Sequence, residues 1–436
     1  MGKVLTEKWY EILERYRDEV SRCVCCGICQ AGCPTYAVTG DESMVARGKL
    51  SLIEAVLNGD LKLTDNFKEC MSRCTSCLSC VENCPSGVDP VKIINAARGE
   101  LFKNKGSYLV LRFVLQYILR SERLLYPTAK MMGMLVKYIY NPLLRRRYLP
   151  FLRGGRDRLI PNIGESHLRK RVPEIVKVKN PRMRVALFTG CMIDLVYQDI
   201  GLSIIDLLKR AQIEVVLPRE QLCCGAPGYY SGDSDTAIFL AKKNLDIYNS
   251  LEVDAIITDC ATCGRMLKEV YRLLLGEKRI ATLIPSEKVN DERDSLNRFT
   301  SKVVDIHKFI IENIDPLIYS ADSKAEKIRV TYHDPCHLSR GQGVRRPPRE
   351  ILNALRGVEY IEMEGADNCC GGAGLFTIRH YDLSLNIAEQ KARSIKETGA
   401  DIVATGCPSC QMHLSDALYR ARLNIRVMHT AQLLIV

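Results

Sequence analysis

Twenty cysteines in 436 residues are the part of this sequence that can do chemistry, and their spacing says which chemistry. Cys23, Cys26, Cys29 and Cys33 stand in the order C-x2-C-x2-C-x3-C with Pro34 next; Cys74, Cys77, Cys80 and Cys84 repeat that order before Pro85. Closely spaced thiolates curl round one face of an iron–sulfur cluster, and the proline after each run is expected to turn the chain before a helix can continue. Zinc is a poorer match, because four ligands complete its tetrahedral site and would leave cysteines over. A disulfide framework suits a short secreted chain, whereas M-G-K-V-L-T-E-K-W-Y has no apolar leader core. The octet reads as a carrier of electrons.

A second cysteine system fills the rest of the chain. Cys191, Cys223-Cys224-Gly225 and Cys260-x2-Cys263 are followed by Cys336, Cys369-Cys370-Gly371 and Cys407-x2-Cys410, at offsets of 145, 146, 146, 147 and 147 residues. Two sets of five exceed what zinc needs and suit iron–sulfur clusters better. Gly225, Gly371 and Gly372 would let backbone approach a bulky ligand. The elements that must position these thiols are also legible. R-V-A-L-F-T-G-C, I-E-V-V-L-P, D-A-I-I-T-D-C and V-V-D-I-H read as strands, and I-R-V-T-Y-H-D-P-C, V-E-Y-I-E-M, D-I-V-A-T-G-C and I-R-V-M-H repeat the pattern with helical runs between. Such alternation predicts parallel sheets with right-handed crossovers, and most of the cysteines fall just past a strand, at the carboxyl edge where α/β folds collect ligands. In the octet segment each cysteine recurs 51 positions later, and R-G-K-L-S-L-I-E-A-V-L-N-G predicts a helix closing on Gly59.

The double run is that of bacterial-type ferredoxins, in which the fourth cysteine of each run crosses to the other cluster. That resemblance implies one [4Fe–4S] cubane on Cys23, Cys26, Cys29 and Cys84 and another on Cys74, Cys77, Cys80 and Cys33. Its helical character is similar to the α-helical ferredoxin domain of succinate dehydrogenase iron–sulfur subunits. The whole chain resembles the iron–sulfur subunit of glycolate oxidase and of related D-lactate dehydrogenases, on C-P-T-Y (33–36), D-E-S-x3-A-R-G-K (41–49), C-P-S-G-V (84–88), T-Y-H-D-P-C-H-L-S-R-G-Q-G-V (331–344) and N-C-C-G-G-A-G (368–374). The two halves resemble the CCG domains of heterodisulfide reductase, which implies a non-cubane [4Fe–4S] assembly on Cys191, Cys223, Cys224, Cys260 and Cys263 and another on Cys336, Cys369, Cys370, Cys407 and Cys410. Glycolate oxidase subunits often carry alanine or asparagine in place of Cys260 or Cys407; this chain keeps both and so leans towards heterodisulfide reductase.

The expected fold is therefore multidomain: an N-terminal α-helical ferredoxin domain (1–100), a basic amphipathic helical connector (101–180), and duplicated α/β CCG domains with parallel sheets (181–320 and 321–436). The formal charge of +11 is concentrated in residues 101–160, which hold 13 Lys or Arg against Glu122 and Asp157. Arg112, Gln116, Arg120 and Arg123 form one helical stripe, with Val110, Phe113, Val114, Tyr117 and Ile118 on the other side. Pro127 and Pro142 are expected to break the segment, and Arg145-Arg146-Arg147 follows. Packing on its own protein behind a solvated basic face, or docking a partner, is favoured over lying on an anionic membrane; nucleic acid is not expected, since no stacking aromatics accompany the charge. No apolar stretch is long enough to span a bilayer.

Some residues lie outside both cysteine patterns. Cys25 and Cys70 read as structural or spare thiols. His333 and His337 flank Cys336, where His337 is a donor to a cluster sulfur, a proton shuttle beside a reducing site, or a satisfied structural histidine. Arg340, Arg345 and Arg346 read as a solvated loop unless an anionic substrate or acidic partner meets them. No Walker-type phosphate cradle and no G-x-G-x-x-G after a strand is present, so flavin or nucleotide is expected on another subunit. The resemblance implies an FAD-binding dehydrogenase subunit or other flavoprotein as partner, a 2-hydroxy acid such as glycolate or D-lactate as its substrate, and a quinone or other acceptor. The alternative it leaves open is catalytic reduction of a small disulfide at the C-terminal clusters. A reducing cytoplasm, or the inner face of the membrane, is the expected location.

Overall fold

The computed structural model describes residues 11–104, 109–135, 138, 159, 161–164, 166–276, 289–320 and 327–434; Pro142 and Arg145-Arg146-Arg147 lie outside them. Residues 11–104 are helical, with no strand among the described residues. The helix Ala46–Asn58 ends on Gly59, whose left-handed backbone (φ 85°) turns its N–H back to Ala55 and Val56 carbonyls, as the sequence predicted. Helices Ala46–Asn58, Asp65–Ser72 and Pro90–Asn104 bury Leu50, Ile53, Phe67, Met71, Ile93 and their neighbours in one core. The prolines differ from expectation. Pro34 opens the helix Pro34–Thr39 with Cys33 as its N-cap, because a missing N–H costs nothing in a first turn. Pro85 follows a helix that has already ended at Glu82.

Among the described residues nine strands form two sheets. β1 (Ile175–Val176), β2 (Met183–Phe188), β3 (Ile213–Val216), β4 (Ala255–Thr258) and β5 (Val303–Asp305) take the order β1-β3-β2-β4-β5. β6 (Ile328–His333), β7 (Val358–Tyr360), β8 (Ile402–Thr405) and β9 (Arg426–His429) take the order β7-β6-β8-β9. Pairing is parallel throughout except between β1 and β3. β4 and β8 are buried at every position, the signature of strands covered on both faces. The duplication is structural: Phe188 at the end of β2 pairs with Thr258, and His333 at the end of β6 pairs with Thr405. The two-residue β1 went unseen in the sequence and lies in the segment assigned to the connector; its hydrogen bonds tie that segment to the first sheet.

The connector packs the opposite way round from expectation. Arg112 donates to the Phe102 carbonyl at 3.0 Å over the Phe102 ring, and Arg120 donates to Thr236 Oγ1 at 2.8 Å beside Phe239. Leu115 and Leu119 are buried against the first CCG half, while Val110 (77% exposed), Phe113 (56%) and Tyr117 (59%) face outward. An arginine whose guanidinium finds a carbonyl and a ring packs as well as an aliphatic chain. Pro127 does not break the segment either, for it lies within the helix Glu122–Leu135. That helix is anchored by Tyr126, whose hydroxyl donates to Asp194 at 2.6 Å, and by Glu122, which pairs with the buried Arg169 at 2.9 Å.

The helical module is locked to both sheets. Gly232, in left-handed backbone (φ 91°), approaches the helix Pro90–Asn104 so closely that a Cβ there would meet Arg98 O at 2.2 Å and Gly99 N at 2.9 Å. Gly232→Ala is therefore expected to cost about 2–4 kcal/mol, from backbone strain plus overpacking. Gly40→Ala, at φ 65° with nothing within 4 Å, is the control that carries the strain alone. Chemical unfolding under anoxia should rank Gly232→Ala well below Gly40→Ala; equal losses would mean that the contact contributes nothing.

Candidate metal centre

The ten cysteines of the two halves meet at the carboxyl ends of the sheets. Cys191 and Cys336 begin the short helices after β2 and β6; Cys260 and Cys407 cap the helices after β4 and β8. Cys223-Cys224 and Cys369-Cys370 precede Gly225 and Gly371, both in left-handed backbone (φ 87° and 84°). Within the first set the thiols touch in series, Cys191 to Cys223 to Cys224 to Cys263 to Cys260. In the second, Cys336 meets Cys369, while Cys370 meets Cys410 and Cys410 meets Cys407. The sets also touch each other and the helical module: Cys260 meets Cys407, and Cys77 meets Cys369.

Sulfur packed on sulfur splits the pKa values. Cys223 as donor, then the Cys263 contact, hold Cys224 down at about 5. Cys223 pushes Cys191 well up, with burial adding to it. Cys369 drives Cys77 up in the same way. Ten sulfurs packed together, seven of them on buried residues, cannot all ionise beside one another unless a cation joins them. Other observations fit a cluster there. A cavity of about 500 Å³ is lined by nine of the ten thiol residues, all but Cys370, and by Cys74. A Cβ at Gly190 would lie 3.0 Å from Cys263 Sγ, and one at Gly372 would lie 3.4 Å from Cys370 Sγ, so both glycines keep the approach to the sulfurs clear. All twenty cysteines are free thiols.

In the helical module Cys33 stands with the second run. Burial raises its pKa first, and the charges it feels next among the thiols are those of Cys77 and Cys74. Cys80 is set among Cys74, Cys77, Cys33 and Cys29. Cys23 lies against Cys25 and near Cys29, and Cys84 packs on the same core as Cys23; Cys26 is exposed. Cys25 is exposed in left-handed backbone (φ 53°), and Cys70 is half-buried on the helix Asp65–Ser72.

Buried cations surround the thiols, and sequence reading passed over most of them. Lys49, the last residue of A-R-G-K, is 1% exposed, donates to the Ser43 and Met44 carbonyls, and faces Cys74 and Cys33. Arg98 donates to Met71 O, Cys74 O and, across the interface, Tyr230 O. Lys391 donates to Gly365 O and Ala366 O beside Cys370 and Cys369, and burial lowers its pKa to about 8. Only an apolar helical pattern with one lysine too many could have signalled it.

The flanking residues resolve individually. His337 is a joint: Nε2 lies 3.0 Å from Ser76 O, Nδ1 lies 3.2 Å from Thr262 Oγ1, and its ring stacks on Tyr230. Burial lowers its pKa to about 4, so it is a neutral structural histidine binding three parts of the chain together. Arg340 is no solvated loop residue. It is 6% exposed by side chain and pairs with Glu82 at 2.9 Å and Asp367 at 2.8 Å, and Arg345 joins it on Glu82. Arg346 is exposed at the start of the helix Arg346–Ala354.

A helical module with a doubled cysteine run, joined to two α/β halves whose thiols converge on one cavity, defines an iron–sulfur protein of the oxidoreductase class. Residues 19–88 match the 4Fe–4S dicluster domain family, and residues 185–268 and 330–415 match the CCG cysteine-rich domain family. The chain is 29% identical over 440 residues to a probable glycolate oxidase iron–sulfur subunit of Bacillus subtilis, covering 98% of this chain and 96% of that one. It is 30% identical over 425 residues to an uncharacterised iron–sulfur protein of Methanococcus maripaludis, covering 95% and 72%. One chain of the dihydromethanophenazine:CoB–CoM heterodisulfide reductase of Methanosarcina acetivorans is 28% identical over 94% of this chain and 91% of its own length. The chain belongs to the iron–sulfur protein family of the glycolate oxidase iron–sulfur subunits, with heterodisulfide reductase-like CCG domains. No described helix is long and apolar enough to cross a membrane.

Proposed function

We propose that this chain is the electron-transfer subunit of a flavin-linked 2-hydroxy acid dehydrogenase, of glycolate or D-lactate type, relaying single electrons from an FAD-binding subunit to a quinone or other acceptor. The observation that carries the reading is the continuity of the thiols. Cys77 of the helical module meets Cys369, and Cys407 of the same half meets Cys260 of the other. In this reading Cys23, Cys26, Cys29 and Cys84 hold one cubane, Cys74, Cys77, Cys80 and Cys33 a second, and the two sets of five hold non-cubane [4Fe–4S] assemblies. The clusters supply one-electron storage; the chain supplies their order, their burial and the cations Lys49, Arg98 and Lys391 that offset their charge. The units 1–100, 101–180, 181–320 and 321–436 are the working domains, with β1 as the link from the connector into the first sheet.

The outward apolar face of Val110, Phe113 and Tyr117 is the seat for the partner, on a segment whose net positive charge suits an acidic protein or an anionic membrane surface on the cytoplasmic side. Protein purified anaerobically from its native host should bring down a flavoprotein, and the substrate of that flavoprotein should bleach the iron–sulfur absorbance. Isolation without any flavoprotein, together with failure of added flavoproteins to reduce the chain, would sink the relay.

One observation favours a second reading, reduction of a disulfide at the C-terminal sites: both sets of five are complete, and the cavity they share is continuous. Turnover of a low-molecular-weight disulfide with reduced viologen would establish it, and its absence would remove it.

A further inference from the structure

The two cysteine sets are duplicated, but their surroundings are not. His333 ends β6 where Phe188 ends β2, in the same register against Thr405 and Thr258. The difference changes the chemistry. One imidazole nitrogen of His333 and the sulfurs of Cys370 and Cys410 all lie within 4.8 Å of one another, and all three residues are buried. His333 is 1% exposed; its ring meets the Cys370 sulfur, and no oxygen or nitrogen partner engages either ring nitrogen. Leaving such an atom unsatisfied costs about 1–3 kcal/mol; the buried His307 leaves Nε2 bare but binds Asp305 through Nδ1 at 2.9 Å, whereas at His333 both nitrogens lack an oxygen or nitrogen partner. His337 engages both nitrogens, and His429 does the same with Asp259 O and the Ala431 N–H. A nitrogen set beside the Cys370 and Cys410 sulfurs, with no oxygen or nitrogen partner, has the placement and chemistry of a metal ligand.

We propose that His333 is a nitrogen ligand to iron at the second cysteine set, so that this site is five thiolates plus an imidazole, while the first, with Phe188 in the matching place, is thiolate alone. The inference rests on the reading that both sets hold iron–sulfur clusters. Its consequence is redox asymmetry. A neutral nitrogen donor adds no negative charge, and imidazole ligation raises the potential of iron–sulfur centres. Electrons arriving from the helical module through Cys77 and Cys369 would therefore settle first on the second site, and passage on through Cys407 to Cys260 would be uphill.

The test uses the full chain, matured with its clusters under anoxia and labelled with ¹⁵N-histidine. Pulsed EPR should detect a strongly coupled nitrogen on one C-terminal cluster signal and none on the other. H333F, which copies the first half, should lose that coupling and lower the midpoint potential of that signal alone. A C-terminal signal with no histidine nitrogen, or with only the weak coupling of a hydrogen-bonded imidazole, overturns the proposal. So does a coupling that survives in H333F. The labelled wild-type measurement decides even if the variant fails to fold. Absence of any C-terminal cluster signal, with iron at about eight per chain, would instead overturn the underlying reading.

Discussion

Cys33→Ala is expected to remove the cluster of the second cysteine run, not the first. Iron should fall from about 16 to about 12 per chain, one whole cubane. The reason is placement. Cys33 caps the helix Pro34–Thr39, is half-buried, and after burial feels Cys77 and Cys74 among the thiols. Cys80 in turn has Cys33 among its neighbours. If ligation crosses between the runs, the EPR spectrum of Cys33→Ala should match that of Cys77→Ala, and Cys84→Ala should match Cys23→Ala. If each run wraps its own cluster, the pairs regroup by run, and the crossing assignment is wrong. The effect on function should be larger than the loss of four irons suggests. Cys77 is the thiol that meets Cys369, so losing this cluster should leave the C-terminal sites intact yet cut off from electrons entering at the helical module. Substrate-driven reduction of the C-terminal signals should be abolished, while direct chemical reduction is retained.

What was legible in the sequence followed from local rules. β2, β4, β6 and β8 are short apolar runs that stop at a residue or two before cysteine, and a strand buried on both faces has to read that way. The Gly59 cap was legible for the same reason. The connector was not. Periodicity locates a stripe but does not say which side is inside once arginine can bury its guanidinium against Phe102 O or Thr236 Oγ1. Pro127 was misread because tertiary contacts, Tyr126 to Asp194 and Glu122 to Arg169, hold the helix through a proline that lies past its first turn. β1 is two residues long and is held by pairing with β3, a partner that no local pattern announces. At the site, spacing within each half supplied the thiols, and the duplication matched them across the two. Neither could show that Cys77 faces Cys369, or that His333, noted only as a neighbour of Cys336, reaches Cys370 and Cys410 instead. Those contacts join segments far apart in the chain.

The interface between the two halves should make stability depend on pH on the acid side. His429 is fully buried where β9 ends; its Nε2 lies 3.0 Å from Asp259 O, and its Nδ1 accepts the Ala431 N–H at 3.2 Å. One nitrogen must donate and the other accept, which specifies the neutral ring. Burial, with His307 next, lowers its pKa from 6.5 to about 3. A depressed folded pKa means that the unfolded chain binds the proton first, so the stabilisation is complete above about pH 6.5 and is lost as pH falls towards 3. Each pH unit in that window removes about 1.4 kcal/mol. H429N keeps an acceptor for the Ala431 N–H but cannot titrate. It should be less stable than wild type at pH 7.5, and the gap should narrow by about 1.4 kcal/mol per unit between pH 6 and 4.5. Other acid-sensitive groups, His337 among them, are common to both proteins and cancel in the difference. Denaturant unfolding at matched pH values under anoxia reads this directly. Parallel curves would mean that His429 is not held neutral, and that the contact between Asp259 and β9 does not set the acid limit of the joint.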